Sequence, residues 1–279
     1  MANQKKWLFP ANGGGLGQGF RGEQDQFTGG RLSSLVREVI QNSLDAKLGD
    51  SDEPVSVTFE IVEIPISDCP EVSWLLDSLV ACEKEAKDQG LDDVEKYYTS
   101  AIKSLKTDKN VRFLTIHDSN TTGLGGALKA NHGAWYALVK GSGISQKQAG
   151  SLGSFGLGSK ASFVVSKIRT VFYMTYVPDG SGAALEKRFQ GKSILQSHTD
   201  KDTGNQTQGT GFYGWTYECS ALLGSDIPQW ALKLRPETTF GQGTSLYIPM
   251  FSMSEEELPE MVITLIANYY YAFKLNNLR

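Results

Sequence analysis

Cysteine is scarce in these 279 residues: Cys69, Cys82 and Cys219 form an odd set with no metal-ligand spacing. That excludes a disulfide frame and a cysteine-held zinc, and it points to reduced thiols in a cytoplasmic compartment. Positive charge is also in deficit. With 27 Lys and Arg against 31 Asp and Glu, the formal charge is −4, so no global field draws the chain to nucleic acid or to an anionic membrane. No apolar run approaches membrane-spanning length, and the first residues carry lysines, Trp7, Pro10 and glycines instead of the apolar stretch of a signal peptide. Internal repeats are absent. Apolar residues, by contrast, make up 40% of the chain, enough for a substantial core.

Residues 11 to 30 are rich in Gly and Gln. Gly13, Gly14, Gly15, Gly17 and Gly19 have no strand before them, so they do not read as a dinucleotide loop, and residues 1–30 are expected to form a flexible arm. A helix follows at about 31–47. Residues 55–64 (VSVTFEIVEI) alternate as a strand should. Residues 71–106 predict two amphipathic helices broken at Gly90, an insertion at the domain edge. A strand at 111–117 delivers Asp118 at its end. Gly- and Ser-rich residues 121–158 predict a long mobile lid with a helical segment near 126–139, and a helix begins at Ser159. Strands are expected at 169–177, 183–190, 211–217 and 244–249, and a last helix at about 255–276. The domain proper then spans 31–250, followed by a C-terminal helix at 251–279; whether that helix leads to a further domain stays open.

Three stretches carry chemistry. In the first, Glu38, Asn42 and Asp45 fall within an arc of roughly 60° of one helix face, with Leu32, Leu35, Val36, Val39, Ile40 and Leu44 read as lying on the opposite side. A carboxylate held there can activate water, and an amide oxygen one turn away can ligate magnesium. A solvated face would look the same. In the second, Asp118 opens Asp-Ser-Asn-Thr-Thr-Gly at a strand end, where it could accept a hydrogen bond from an adenine amine; taken alone, a plain turn is the commoner reading of such a stretch. In the third, Gly153 to Ala161 (GSFGLGSKA) places glycines before a helix, where backbone amides and the helix dipole favour phosphate. It lacks the Walker A spacing. The neighbours His117 and Asp118 point to opposite faces of their strand, which argues against Ser-His-Asp hydrolysis.

Taken in this order, the stretches resemble the GHKL, or Bergerat-fold, ATPase family. RExxQNSxDA resembles its N box, IHDSNTTGL its second box and GSFGLGSKASF the chaperone form of its glycine box; Gly243-Thr244 is similar to its fourth element. The wording is closest to chaperone-type and prokaryotic defence-associated members. The resemblance implies an α/β two-layer sandwich (α+β) with a mostly antiparallel mixed sheet covered by helices. It implies Glu38 as general base, Asn42 as magnesium ligand and Asp118 as adenine reader. Asp45 and Ala46 would line the base and sugar. Gly123, Gly153, Gly156, Leu157, Gly158, Ser159 and Lys160 would surround the nucleotide and its phosphates, and Thr244 would support Asp118. One departure stands out: Asn120 and Thr122 occupy positions where the family's second box has glycine.

The function implied is magnesium-dependent ATP binding and hydrolysis that closes the lid and favours a homodimer, with the N-terminal arm as a candidate for crossing between protomers. An effector domain or partner outside this chain is expected, with antiviral defence as the biological setting that the motif wording suggests. No membrane partner is expected, and this segment does not indicate nucleic acid. The alternative is a nucleotide-gated switch or scaffold that binds ATP with little hydrolysis. A histidine kinase is the competitor within the family, but such kinases usually lack the glutamate base and need an upstream acceptor histidine, and His117, His132 and His198 are not upstream.

Overall fold

The computed structural model describes residues 3–15, 17–20, 30–49, 51–129, 131–141, 160–253 and 257–279. In chain order the elements are β1 (Lys5–Leu8), α1 (Arg31–Asp45), β2 (Ser56–Pro65), α2 (Pro70–Ser73), α3 (Leu76–Asp88), α4 (Asp92–Thr107), β3 (Asn110–Ser119) and α5 (Ala161–Val164). They continue with β4 (Thr170–Pro178), β5 (Leu185–Ile194), β6 (Thr210–Trp215), β7 (Leu222–Leu223), α6 (Gln229–Leu234), α7 (Glu237–Phe240), β8 (Gly243–Ile248) and α8 (Glu257–Lys274).

The fold is α+β. Among the described residues eight strands form one sheet in the order β1-β6-β5-β4-β8-β3-β2, with β7 paired to β5. Every pairing between these strands is antiparallel. A parallel bridge joins Val55 to Leu278 at the β2 edge, where the Arg279 N–H donates to the Val55 carbonyl at 2.8 Å.

Alternation of side chains divides the sheet into two apolar faces. Phe113, Phe172, Met174, Tyr176, Phe189, Tyr213 and Tyr247 pack on one side with Leu79, Cys82, Val94, Tyr98, Ala101 and Ile102 of α3 and α4. Leu114, Ile116, Val171, Tyr173 and Ile248 pack on the other side with Leu32, Leu35 and Val39 of α1 and Phe163 of α5. Helices therefore cover both faces, one layer more than a two-layer sandwich provides. The cause is visible in β4, whose residues 170–177 are buried without a break: a strand apolar on both sides needs cover on both sides. The 71–106 insertion is thus a full layer of the core and not an edge decoration.

Three further expectations are corrected. Lys5–Leu8, placed in a flexible arm, pairs with β6, and Trp7, Phe9 and Phe20 are buried in the chain's own core. The Trp7 indole donates to the Glu71 carbonyl at 2.7 Å and its ring packs at 5.8 Å from both Phe172 and Tyr213. Aromatic anchoring of this kind leaves the described part of the arm little freedom to cross to another protomer. Near 126–139, helical structure begins only at Ala134 and continues as a π-helical turn at Tyr136–Lys140. The helix expected from Ser159 is one turn, Ala161–Val164.

The final helix docks on α1. Arg31 grips Glu257 through two bonds of 2.7 and 3.0 Å, Glu260 accepts from the Ser33 hydroxyl at 2.9 Å, and the Tyr269 hydroxyl donates to the Arg37 carbonyl at 2.9 Å. Tyr269 is buried against Val36 and Ile40. Val262, Ile263, Ile266, Tyr270 and Phe273 remain exposed. No helix among the described residues is long and apolar enough to cross a membrane, and all three cysteines are free.

Because Trp7 is a core residue, Trp7→Ala should lower the unfolding free energy by about 3 to 5 kcal/mol. Urea denaturation measures this; an unchanged midpoint would restore the picture of a loose arm.

Candidate functional site

The site is built where the end of α1 meets the end of β3. Helix α1 buries Leu32, Leu35, Val36, Val39, Ile40 and Ser43. Glu38 and Asn42 are half-buried at the margin of that stripe, beside the apolar face instead of opposite it. The Asn42 amide nitrogen donates to Glu38 Oε1 at 3.2 Å. This leaves the amide oxygen, the atom a hard cation would take, outside that bond. Asp45 is exposed and accepts from the Gln41 amide at 2.7 Å. Ala46 lies just past the helix, and its carbonyl accepts the Thr122 N–H at 2.8 Å. With the Leu48 N–H donating to the Asn120 carbonyl at 3.1 Å, this stitches the end of α1 to the segment after β3.

Asp118 lies at the centre. Its Oδ1 accepts from the Thr121 hydroxyl at 2.6 Å and from the Thr244 backbone N–H at 2.7 Å. Its Oδ2 accepts from the Ser43 hydroxyl at 3.2 Å. A carboxylate offers about four acceptor positions, so one on Oδ2 remains for a ligand donor. Burial raises the Asp118 carboxyl above its ordinary range, and the Thr121 hydroxyl, the Arg235 charge, the Thr244 amide and the Ser43 hydroxyl oppose that rise.

The backbone explains the two unusual residues of this segment. Asn120 stands where the resembled family has glycine, and its φ is 59°. Asparagine tolerates the left-handed region better than most side chains, and here its amide donates to the Pro54 carbonyl at 2.9 Å. Gly123 has φ 64°, and a Cβ there would lie 2.8 Å from Thr175 Oγ1. That hydroxyl donates to the Gly243 carbonyl at 2.8 Å and lies 3.4 Å from Thr244 Oγ1. Thr244 therefore supports Asp118 through its amide and touches Thr175 through its side chain.

Lys160 immediately precedes α5, which packs against α1. Gly153, Gly156, Leu157, Gly158 and Ser159 lie outside the described residues, as does the 142–158 part of the expected lid. Among the described residues no group of three or more His, Cys, Asp or Glu is placed to hold a metal ion. Magnesium can be held by one or two protein oxygens together with phosphates, and the half-buried Glu38–Asn42 pair is the donor set present for it.

Four residues of the site escaped sequence reasoning. Ser43 had a signal: a helical serine next to Asn42, bonded to the Val39 carbonyl four residues back at 3.0 Å, as serines inside helices commonly are. Thr121 is local, three residues beyond Asp118 in the segment already singled out, whereas Thr175 and Arg235 had no signal, since only folding brings them near Asp118. His117 projects from the other face of β3. It is bonded to Ser245 Oγ at 2.7 Å through Nδ1 and stacked 4.3 Å from Phe240, and it is structural. A cleft of about 450 Å³ opens at the end of the sheet, lined by Ser56, Thr58, Ser119, Phe240 and Arg279. It is distinct from the Asp118 carboxylate, because Ser119 and Thr58 alternate onto the His117 side.

Comparison with protein-family models, with curated proteins and with solved structures finds no match for this chain.

Two outcomes follow from this geometry. A Cβ on Gly243, whose φ is 146°, would sit 2.5 Å from both the carbonyl oxygen and Oδ1 of Asp118. Gly243→Ala should therefore cost about 1 to 3 kcal/mol of stability, read by thermal unfolding. Burial, aided by Arg235, lowers the His117 pKa from 6.5 to about 3. A ring neutral when folded but protonatable when unfolded stabilises the fold above pH 6.5, and that contribution is lost as pH falls toward 3. The loss approaches about 1.4 kcal/mol per pH unit within that window. His117→Gln should flatten the measured pH slope by that amount; an unchanged slope would refute the assignment.

Proposed function

We propose that this chain is a magnesium-dependent ATPase module of the GHKL type, built on a Bergerat ATP-binding fold. The observation that carries the reading is the Asp118 constellation. A buried carboxylate is held by Ser43 from the N-box-like helix, by Thr121 from its own segment and by the Thr244 amide from the fourth element. Three separated stretches that share only a motif order in the sequence thus meet at one atom group, with one acceptor position to spare.

In this reading the spare position on Asp118 Oδ2 takes an N–H of the adenine amine. A carboxylate there disfavours guanine, whose ring carries a carbonyl at the same place. Gly123 and Thr244 face the base side, and Ala46 and Asp45 lie at the sugar side. Backbone amides of residues 156–159 and the Lys160 cation serve the phosphates. The Asn42 amide oxygen would hold magnesium, which would supply neutralisation of the phosphate charge. Glu38 accepts the proton of the attacking water, whose oxygen bonds to the terminal phosphorus in line as the bond to the bridging oxygen breaks and ADP leaves with that electron pair. Closure of the 121–158 segment, dimerisation and coupling to an effector outside this chain belong to the same proposal.

Calorimetric titration with ATP, ADP and GTP, with and without magnesium, tests the reading. Adenine preference and a magnesium-dependent gain are expected, and Asp118→Ala should weaken ATP at least about tenfold. Glu38→Ala should lower turnover by about 10² to 10⁴ while ATP affinity stays within a few fold. Unchanged ATP affinity in the Asp118 variant would remove the proposed site. ATP binding without any turnover in the unaltered chain would leave a nucleotide-gated switch in place of an enzyme.

A further inference from the structure

We infer that Arg235 is the positioning residue that holds the Asp118 carboxylate in place and anionic, and thereby sets the choice between 6-amino and 6-oxo purines. The inference rests on the ATP-binding reading above. Arg235 follows α6, is fully buried and lies 117 residues from Asp118 in sequence. Its Nη2 donates to the carbonyl oxygen of Asp118 itself at 3.0 Å and to the Gly241 carbonyl at 3.1 Å. Its Nη1 donates to the Thr244 carbonyl at 3.0 Å and to Ser245 Oγ at 2.8 Å.

One planar fork therefore ties the end of β3 to the turn that opens β8. Thr244 is caught from both sides: its carbonyl is held by Arg235, and its N–H is aimed at Asp118 Oδ1. The rings of Tyr176 and Phe240 lie 5.2 and 5.5 Å from the guanidinium, and the Tyr176 hydroxyl donates to the Arg235 carbonyl at 2.7 Å. Gly243 completes the contact, since a Cβ there would also approach Arg235 Nη2 to 2.8 Å.

The electrostatic part of the role follows from what surrounds the carboxylate. From α1 it meets the Ser43 hydroxyl, with the Glu38 and Asp45 carboxylates on the outer margin of that helix. From its own segment it meets the Thr121 hydroxyl, with Lys47 paired to Thr121 through the backbone. From β8 it meets the Thr244 amide, and its cross-strand neighbour on β2 is Val57. His117 points to the opposite face and stays neutral. Arg31 and Arg37 of α1, Arg112 of β3 and Lys47 also lie on or beside these elements, and Arg235 is the cation whose charge acts on the carboxyl.

Removing that charge leaves a buried acid that tends to protonate. A protonated Asp118 presents an O–H to an amine that is itself a donor, whereas it can donate to the carbonyl of a 6-oxo purine. Protonation is favoured at low pH, so adenine preference in a variant without the charge should be weakest there and should recover as pH rises. In the unaltered chain it should not move.

The test is the ratio of ADP to IDP affinity, in which the titration of the shared diphosphate cancels, measured calorimetrically from about pH 6 to 8. The unaltered chain should prefer ADP with a flat ratio. In Arg235→Met the ratio should fall about tenfold at the acid end and climb back toward the alkaline end. Arg235→Lys keeps the charge without the fork, so it should bind both nucleotides more weakly at a flat ratio; it also serves if the methionine variant does not fold. A lysine variant whose ratio moves with pH overturns the inference. So does a methionine variant that keeps a flat ADP preference, or one that loses both nucleotides equally at every pH and so marks a merely structural residue. Failure of the unaltered chain to bind either nucleotide would sink the ATP-binding reading itself and this inference with it. ADP preference in the unaltered chain beside unaffected Arg235 variants would sink this inference alone.

Discussion

A carboxylate removed from water is costly unless other groups take over its solvation, and the arrangement around Asp118 follows from that constraint. Four separate parts of the chain each contribute something the carboxylate needs. Helix α1 supplies the Ser43 hydroxyl, the segment after β3 the Thr121 hydroxyl, β8 the Thr244 amide, and the residue after α6 the Arg235 charge. The Thr244 and Asp118 backbones are in turn fixed by the Arg235 fork, while the single Ser43 proton is shared between Asp118 and the Val39 carbonyl of its own helix. The price of one buried charge is thus a set of long-range contacts that fixes how helix and sheet meet. Gly243 and Asn120 supply the backbone shapes that let those contacts form.

The sheet beneath is organised for the same end. Its central strands are apolar on both faces, so α1 and α5 cover one side while α3 and α4 cover the other. This double cover buries β3 from Phe113 through His117 and leaves Asp118 and Ser119 half-buried at its end. On one side that burial raises the Asp118 carboxyl, and on the other it keeps His117 neutral. Adjacent residues on one strand thus face two environments, one open to a ligand role and the other filled by Ser245 and Phe240.

Much of the local structure was legible. The alternation in VSVTFEIVEI and VRFLTIH marked β2 and β3 to within a few residues, and the helical spacing of Val94, Tyr98, Ile102 and Leu105 marked α4. The break at Gly90 stands, with φ 67°. Less legible were elements whose signal is short or mixed. Lys5–Leu8 is only four residues beside a glycine run, and its place in the sheet depends on Trp7 finding Phe172 and Tyr213 far along the chain. The stretch from 126 to 139 has helical composition but forms only a late turn. Glycines with φ near 100° at Gly126 and Gly133 interrupt it, and such residues favour conformations that no helix uses.

By itself, the sequence determined the secondary-structure alphabet of most of the chain, the α+β class, and the candidacy of Glu38, Asn42 and Asp118. Periodicity and turn chemistry are local properties, and motif order is written along the chain. Only the tertiary structure decided that the 71–106 helices form a core layer, that Ser43 joins the groups on the Asp118 carboxylate, and that Arg235 stands behind it. The physical reason is that periodicity states which face of an element is apolar but not which surface will cover it. A buried charge likewise selects its partners by distance in space, to which separation along the chain gives no guide.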